Sequence, residues 1–176
     1  LIAARHNKSR IEREDFLAAI DRIVGGLERK NKIIPPEEKR TIAYHEAGHA
    51  TVSWILENAS PLIKVTIIPR GQSLGSTMFV PSRDIRTESK KSLLNHICTS
   101  LGGRVAEEIV FTDITNGAAG DIKQATKIAR KMVCDWGMGE IGPIALGENQ
   151  DHIFLGKEIA RDEHFSEKTA QLVDDE

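Results

Sequence analysis

The stretch Tyr44 to Ala50, YHEAGHA, constrains this chain more than any other. On a helix, His45 and His49 are one turn apart, with Cβ atoms about 5 to 6 Å from each other, so both rings aim at one point. Glu46 projects about 100° round the axis from His45, beside that point and not on it. Ala47, Gly48 and Ala50 are small where bulky neighbours would crowd it. The chain must fold so that this helix meets whatever completes the site. The plain alternative is a solvated helix face, because H-E-x-x-H is short enough to arise by chance.

Two imidazoles suit a zinc ion, and a carboxylate beside them suits a general base acting on water. Zinc lowers the pKa of its water towards about 7 and polarises a carbonyl. A catalytic zinc needs a third protein ligand and one open position. The longer pattern H-E-x-x-H-x-x-G-x-x-H fails, since positions 52 and 55 are Val52 and Ile55. A glutamate on the very next helix is not available, because none occurs between Glu57 and Glu88. The candidates are Glu107, Glu108, Asp121, His96, His152 and His164. Asp121 opens a predicted helix, where it suits a cap and a ligand equally. Glu107 or Glu108 could instead orient a ligating imidazole through its other nitrogen.

The predicted organisation is mainly α with a small β-hairpin. Phe16, Leu17, Ile20, Ile23, Val24 and Leu27 recur at helical spacing before Gly25 and Gly26. A linker, KNKIIPPEEK, leads to Pro36, Glu37 and Glu38, a good start for the central helix, which runs to about Leu56. LIKVTIIP and STMFVP read as strands joined by RGQSLG, with Pro81 ending the second near a sheet edge. From Glu88, Leu94, Cys98, Leu101, Val105 and Ile109 form a helical stripe. The pair Gly102-Gly103 inside it predicts close approach of another backbone, such as the helix carrying Ala47 and Gly48. After TDITNGAAG, a further helix puts Ile122, Ala125, Ala129, Met132, Val133 and Trp136 on one face. Met132, Trp136 and Met138 are expected to pack in a core or interface.

The 176 residues suit one domain plus part of another, and a start at Leu1 suggests a piece of a longer protein. Mixed charges and a net of -2 give no basic stripe, which argues against nucleic acid as a partner. Cys98 and Cys134 are expected to be buried, reduced thiols. No signal-peptide pattern and no apolar run approaching about 18 residues occurs, so this piece is expected to be soluble.

The ordered series TIAYHEAGHA, KVTIIPRGQSLG, LGGRVAEEIVF, TNGAAGDIKQATKIARKMV and WGMGEIGP resembles the FtsH family of ATP-dependent zinc metalloproteases. The likeness covers residues 35 to 150. It implies a helical zinc metalloprotease domain with one Zn2+ bound by His45, His49 and Asp121, and Glu46 as general base. One departure is Asn116, where the family usually carries threonine; it touches only local hydrogen bonding in the loop. RIEREDFLAAIDRIVGG resembles the closing helix of an AAA+ lid. The expected boundaries are residues 1–32 for that lid tail and linker and 33–176 for a peptidase domain truncated at its C-terminus. ATP and Mg2+ would belong to an ATPase module outside this chain. The resemblance further implies a hexamer, and a transmembrane anchor outside this fragment. The domain would face the cytoplasmic side of a bacterial inner membrane, or lie at an organellar membrane.

Substrate is expected to be unfolded or membrane protein. The edge formed by Ser76, Thr77, Met78, Phe79 and Val80 would pair with an extended peptide by strand addition, reading little of its sequence. A catalytically silent zinc-holding scaffold of the ring is the competing reading, and a free-standing metallopeptidase a third. Glu46 argues against the scaffold, since a structural zinc has no use for a base beside it.

Overall fold

The computed structural model describes residues 1–29, 31–80, 87–146 and 166–176. In chain order the elements are α1 (Ile2–Arg5), α2 (Arg13–Val24), α3 (Pro36–Ile55), β1 (Leu62–Thr66), β2 (Ser76–Phe79), α4 (Lys90–Phe111), α5 (Ala119–Cys134) and α6 (Glu167–Asp175). A 3-10 turn, Asn116–Ala118, precedes α5. The mainly helical architecture with one small antiparallel sheet is the one expected. His152, His164 and Pro81 lie outside the described residues.

α3 starts where the sequence places it: Pro36 needs no donor in the first turn, and Glu37 and Glu38 face the positive helix end. Ser89 caps α4 by accepting from the Ser92 N–H at 3.2 Å. β1 and β2 pair Leu62 with Phe79, Lys64 with Met78, Val65 with Thr77 and Thr66 with Ser76, with a bulge between Leu62 and Lys64. β2 ends at Phe79, one residue earlier than expected, although the Val80 N–H still donates to the Pro61 carbonyl at 3.1 Å.

The centre of the fold is the contact of α3 with α4. A Cβ on Gly48 would lie 2.7 Å from that of Ala106, and one on Gly102 would lie 2.8 Å from the Gly48 carbonyl oxygen. Glycine at both positions is therefore a steric requirement of this crossing, as the Gly-Gly pair predicted. The seam is polar as well as tight: Glu46, His49, Ser53, Asn95 and Glu107 are all buried. Ser53 donates to the Ser60 carbonyl at 3.0 Å and Asn95 to that of Glu57, so these buried groups have partners.

That seam turns the apolar stripe of α4 outward. Leu94, Val105 and Ile109 are 45%, 47% and 74% exposed, and Cys98 is exposed too. The face turned inward carries Leu93, Asn95, Gly102, Gly103 and Glu107 instead. The reason is distance: two backbones in contact accept only small or specifically bonded side chains between them, which sends the bulky stripe outward. Neither cysteine is buried as expected; both are free, Cys98 exposed and Cys134 half-buried. On α5, Ala125 and Met132 are buried, but Ile122 is exposed and Trp136 lies beyond the helix end at Cys134 with 46% exposure.

α2 is helical as predicted, with its apolar residues exposed; Ile23 and Val24 are 83% and 68% exposed. It meets the hairpin through charge. Asp21 sits 2.5 Å from Lys64 and 3.6 Å from Arg70, and Arg70 also lies 3.5 Å from Glu28. Backbone bonds from Arg29 to Pro69 and from Gly71 to Leu27 continue the junction. No helix among the described residues is long and apolar enough to cross a membrane.

Gly102→Ala tests the seam. Alanine raises helix propensity by about 1 kcal/mol. The overpacked contact should nevertheless destabilise the fold by a net of about 1 to 3 kcal/mol in urea unfolding. An unchanged or increased midpoint would remove the steric account.

Candidate metal centre and catalytic cleft

His45 and His49 face α4 from one side of α3, and Asp121 enters from the third residue of α5. The His45 and His49 Nε2 atoms are 3.0 Å apart. The Asp121 Oδ2 lies 3.3 Å from the first and 3.7 Å from the second. Donors held at zinc bond lengths of about 2.0 to 2.1 Å in a tetrahedron sit about 3.3 Å from one another. The three separations bracket that value.

Hydrogen bonds on the far side of each ring fix which nitrogen faces the site. His45 Nδ1 is 2.6 Å from Glu107 Oε1, and His49 Nδ1 is 2.7 Å from the Thr99 carbonyl oxygen. A carbonyl oxygen only accepts, so His49 Nδ1 carries the hydrogen; an ionised Glu107 demands the same of His45. In the neutral rings both Nε2 lone pairs then converge with a carboxylate oxygen on one small space. Such a cluster repels itself unless a cation or protons sit within it. The donor set of two imidazoles and one carboxylate fits a zinc ion.

Glu107 is 2% exposed and uses both oxygens, the second accepting from the Thr115 N–H at 2.9 Å. It thus ties α4 to the loop that delivers Asp121. Gly103 gives the rings their room, since a Cβ there would lie 2.6 Å from both Nε2 atoms. Asp121 makes no capping bond; Thr115 caps the 3-10 turn instead, accepting from the Gly117 N–H at 3.2 Å. Of the other candidates, Glu108 is exposed, and His96 lies on the cleft wall 3.5 Å from Glu88, outside the cluster.

Glu46 is 7% exposed beside the cluster. Its Oε2 accepts from the Thr77 hydroxyl at 2.6 Å. A Cβ on Gly75 would lie 2.6 Å from its Oε1. His45, Glu46, His49 and Asp121 line one cleft of about 880 Å³ with Ser76, Thr77 and Phe79. That lies toward the upper end of the range for ligand sites. Of the five residues expected to seat a peptide, Met78 and Val80 do not line it. Sequence reasoning did not foresee the Thr99 carbonyl, the Thr115 amide or the bond from Thr77 to Glu46. Backbone acceptors leave no side-chain signature, and a threonine in a strand reads simply as a strand former.

Charges inside the cluster perturb one another. The hydrogen bond to Asp121 raises the His45 pKa, burial opposes it and Glu107 adds to the rise. Burial lowers that of His49, but Asp121 and the Thr99 carbonyl outweigh it and the net is upward. Burial favours the neutral Asp121 carboxyl, yet the two imidazoles together hold it well below the usual carboxylate range. Burial pushes the Glu46 carboxyl upward, with the Thr77 bond pulling the other way.

Residues 32–176 match the sequence profile of peptidase family M41. Relatives include a protein of Thermotoga maritima, "ATP-dependent zinc metalloprotease FtsH", 50% identical over 100% of this chain and 29% of its own length. Proteins of the same name from Pseudothermotoga lettingae and Acidobacterium capsulatum are each 48% identical, over 100% of this chain and 28% of theirs. The chain thus spans less than a third of the length of these relatives.

Two measurements test the geometry. Glu107→Gln keeps the shape but removes the charge behind His45, and should weaken zinc binding about 10- to 100-fold in chelator competition. Unchanged affinity would make Glu107 a packing residue only. The second is pH. In the metal-free fold the two imidazoles bind protons more tightly than their ordinary pKa of 6.5. That contribution to stability is complete below pH 6.5 and is lost as pH rises through the folded values. Zinc competes with the same protons, so its affinity should begin to fall above pH 6.5 on acidification. Affinity that stays flat down to about pH 5 would contradict imidazole ligation.

Proposed function

The chain belongs to peptidase family M41, and on that premise we propose that it is the zinc endopeptidase module of a membrane-anchored, ATP-driven protease. Residues 1–32 are assigned to the end of a preceding AAA+ lid and its linker, and 33–176 to the peptidase domain. Support for the boundary comes from the family match, which begins at residue 32.

In this reading His45, His49 and Asp121 hold zinc and Glu46 is the general base. The observation that carries it is the convergence of both Nε2 atoms and Asp121 Oδ2 on one space, with the Glu46 carboxylate in the same cleft. Bound there, zinc supplies Lewis acidity, making water more acidic and a peptide carbonyl more electrophilic. Glu46 accepts a proton from the water as its oxygen bonds to the carbonyl carbon. The same carboxyl then gives that proton to the departing amine as the C–N bond breaks, and the remaining water proton passes from the new carboxylic acid to the amine, leaving a carboxylate and an ammonium terminus. Glu107 and the Thr99 carbonyl keep the imidazoles in the ligating tautomer throughout.

Ser76, Thr77, Met78, Phe79 and Val80 are proposed to seat an extended peptide. β2 pairs with β1 along one side and with no other strand among the described residues. Main-chain pairing favours unfolded segments over particular sequences. Unfolded or misassembled proteins, including membrane proteins, are the proposed substrates. A hexameric ring fed by the ATPase and an anchor outside this chain complete the proposal.

Glu46→Gln and Asp121→Asn separate the roles. The first should retain zinc and lose cleavage of an unfolded casein-type substrate by at least about 100-fold, the scale of general base catalysis. The second should lose zinc as well. Cleavage surviving Glu46→Gln would return the domain to a scaffold; full zinc in Asp121→Asn would exclude that ligand.

A further inference from the structure

Outside the three donor atoms, the cleft contains one side-chain contact whose chemistry is directed at the proposed base. The Thr77 hydroxyl lies 2.6 Å from Glu46 Oε2 and 3.1 Å from the Glu46 backbone carbonyl oxygen. A hydroxyl has one proton to donate, and the shorter contact to an ionised oxygen takes it. Two residues earlier on the same chain segment, Gly75 passes so close that a Cβ would lie 2.6 Å from Glu46 Oε1 and 2.8 Å from its Cγ. The hairpin therefore holds this carboxylate at both ends, by a bond on one oxygen and by contact on the other. Among the described residues Oε1 packs against Gly75 but has no side-chain or backbone donor, so its capacity to accept a proton is unused within the fold.

From this geometry we infer that Thr77 is the positioning residue of the general base: its hydroxyl anchors the Glu46 carboxylate through Oε2 and leaves Oε1 as the oxygen without a donor, free to take the proton of the attacking water. The inference rests on the reading of Glu46 given above. The peptide seat proposed above uses the Thr77 main chain, whereas this role uses its side chain, so a side-chain substitution tests the second alone. A glutamate side chain has several rotatable bonds, and α3 alone fixes only where it begins. Without the hydroxyl the carboxylate can turn within the cleft, and a proton acceptor displaced by about 1 Å loses much of its rate advantage. Thr77 does not touch the donor set: His45, His49 and Asp121 are held by Glu107, the Thr99 carbonyl and α5. Base positioning and metal retention should therefore separate on mutation.

Thr77→Val replaces the hydroxyl by a methyl of the same shape and keeps a strand-forming residue; Thr77→Ser keeps the donor and removes the methyl. Both are to be measured in the zinc-loaded whole protein on an unfolded protein substrate. Thr77→Val should lower kcat by about 10- to 100-fold, with KM and zinc content within about twofold of the parent. Thr77→Ser should recover kcat to within about threefold, since the charge-assisted bond returns. In a Glu46→Gln background, Thr77→Val should change the residual rate no further, because the two groups act as a unit. A kcat for Thr77→Val within about twofold of the parent overturns the inference. So does a loss confined to KM, a serine variant as slow as valine, or a further loss in the Glu46→Gln background. If the valine protein fails to fold, Thr77→Ala compared with Thr77→Ser carries the same expectations. Cleavage that survives Glu46→Gln alone would defeat the base assignment itself. An inactive Glu46→Gln beside a fully active Thr77→Val would defeat only the positioning role.

Discussion

The contact of two bare backbones, Gly48 on α3 and Gly102 on α4, is the constraint on which the other features of this domain depend. It sets how near the second helix comes to the imidazoles of the first. At that separation Glu107 reaches one ring and the Thr99 carbonyl reaches the other. Gly103, the next residue along, is left as the only kind of side chain that the two Nε2 atoms tolerate. A single extra methyl group would act on packing and on ligand geometry together, because interiors at this density have no slack to absorb it.

Given that crossing, the electrostatics follow. Three electron-rich atoms are brought together at distances that neutral, metal-free chemistry disfavours, and their mutual influence is visible in the upward shift of both imidazoles and the downward shift of Asp121. A site of this kind stores its preference for a cation in positions set by hydrogen bonds outside the donor set. Most of the buried side chains along the seam are polar, and much of its specificity lies in their hydrogen-bonded pairs.

The sequence made the helical spacing legible: Pro36 with Glu37 and Glu38 marks the start of α3, and the glycine pair marks the close neighbour. His45, Glu46 and His49 could be picked out from their spacing alone. Asp121 could not, since its position at a helix start served a cap as well as a ligand; only resemblance to a family separated the two. The outward direction of the α4 stripe was not legible, because periodicity reports that a helix has two faces without saying which is inside. Ordinarily the greasy face is buried, but a backbone contact reverses that preference where small residues are needed more than apolar area. The roles of Thr77, Thr99 and Thr115 were illegible for another reason: each depends on one hydrogen bond across the fold, and no local pattern encodes such a bond.

The donors also differ greatly in their distance along the chain. His45 and Asp121 are 76 residues apart, and Glu107 lies 62 residues from the ring it orients. During synthesis, the helix bearing both imidazoles exists before its partner carboxylate has been made. A half-finished polypeptide has at best a weak two-point chelate, without the groups that aim it. On the proposed reading, competence to cut protein arises only at the end of folding. A nascent copy therefore acquires its full donor set only once α5 has been made and has packed against the earlier helices.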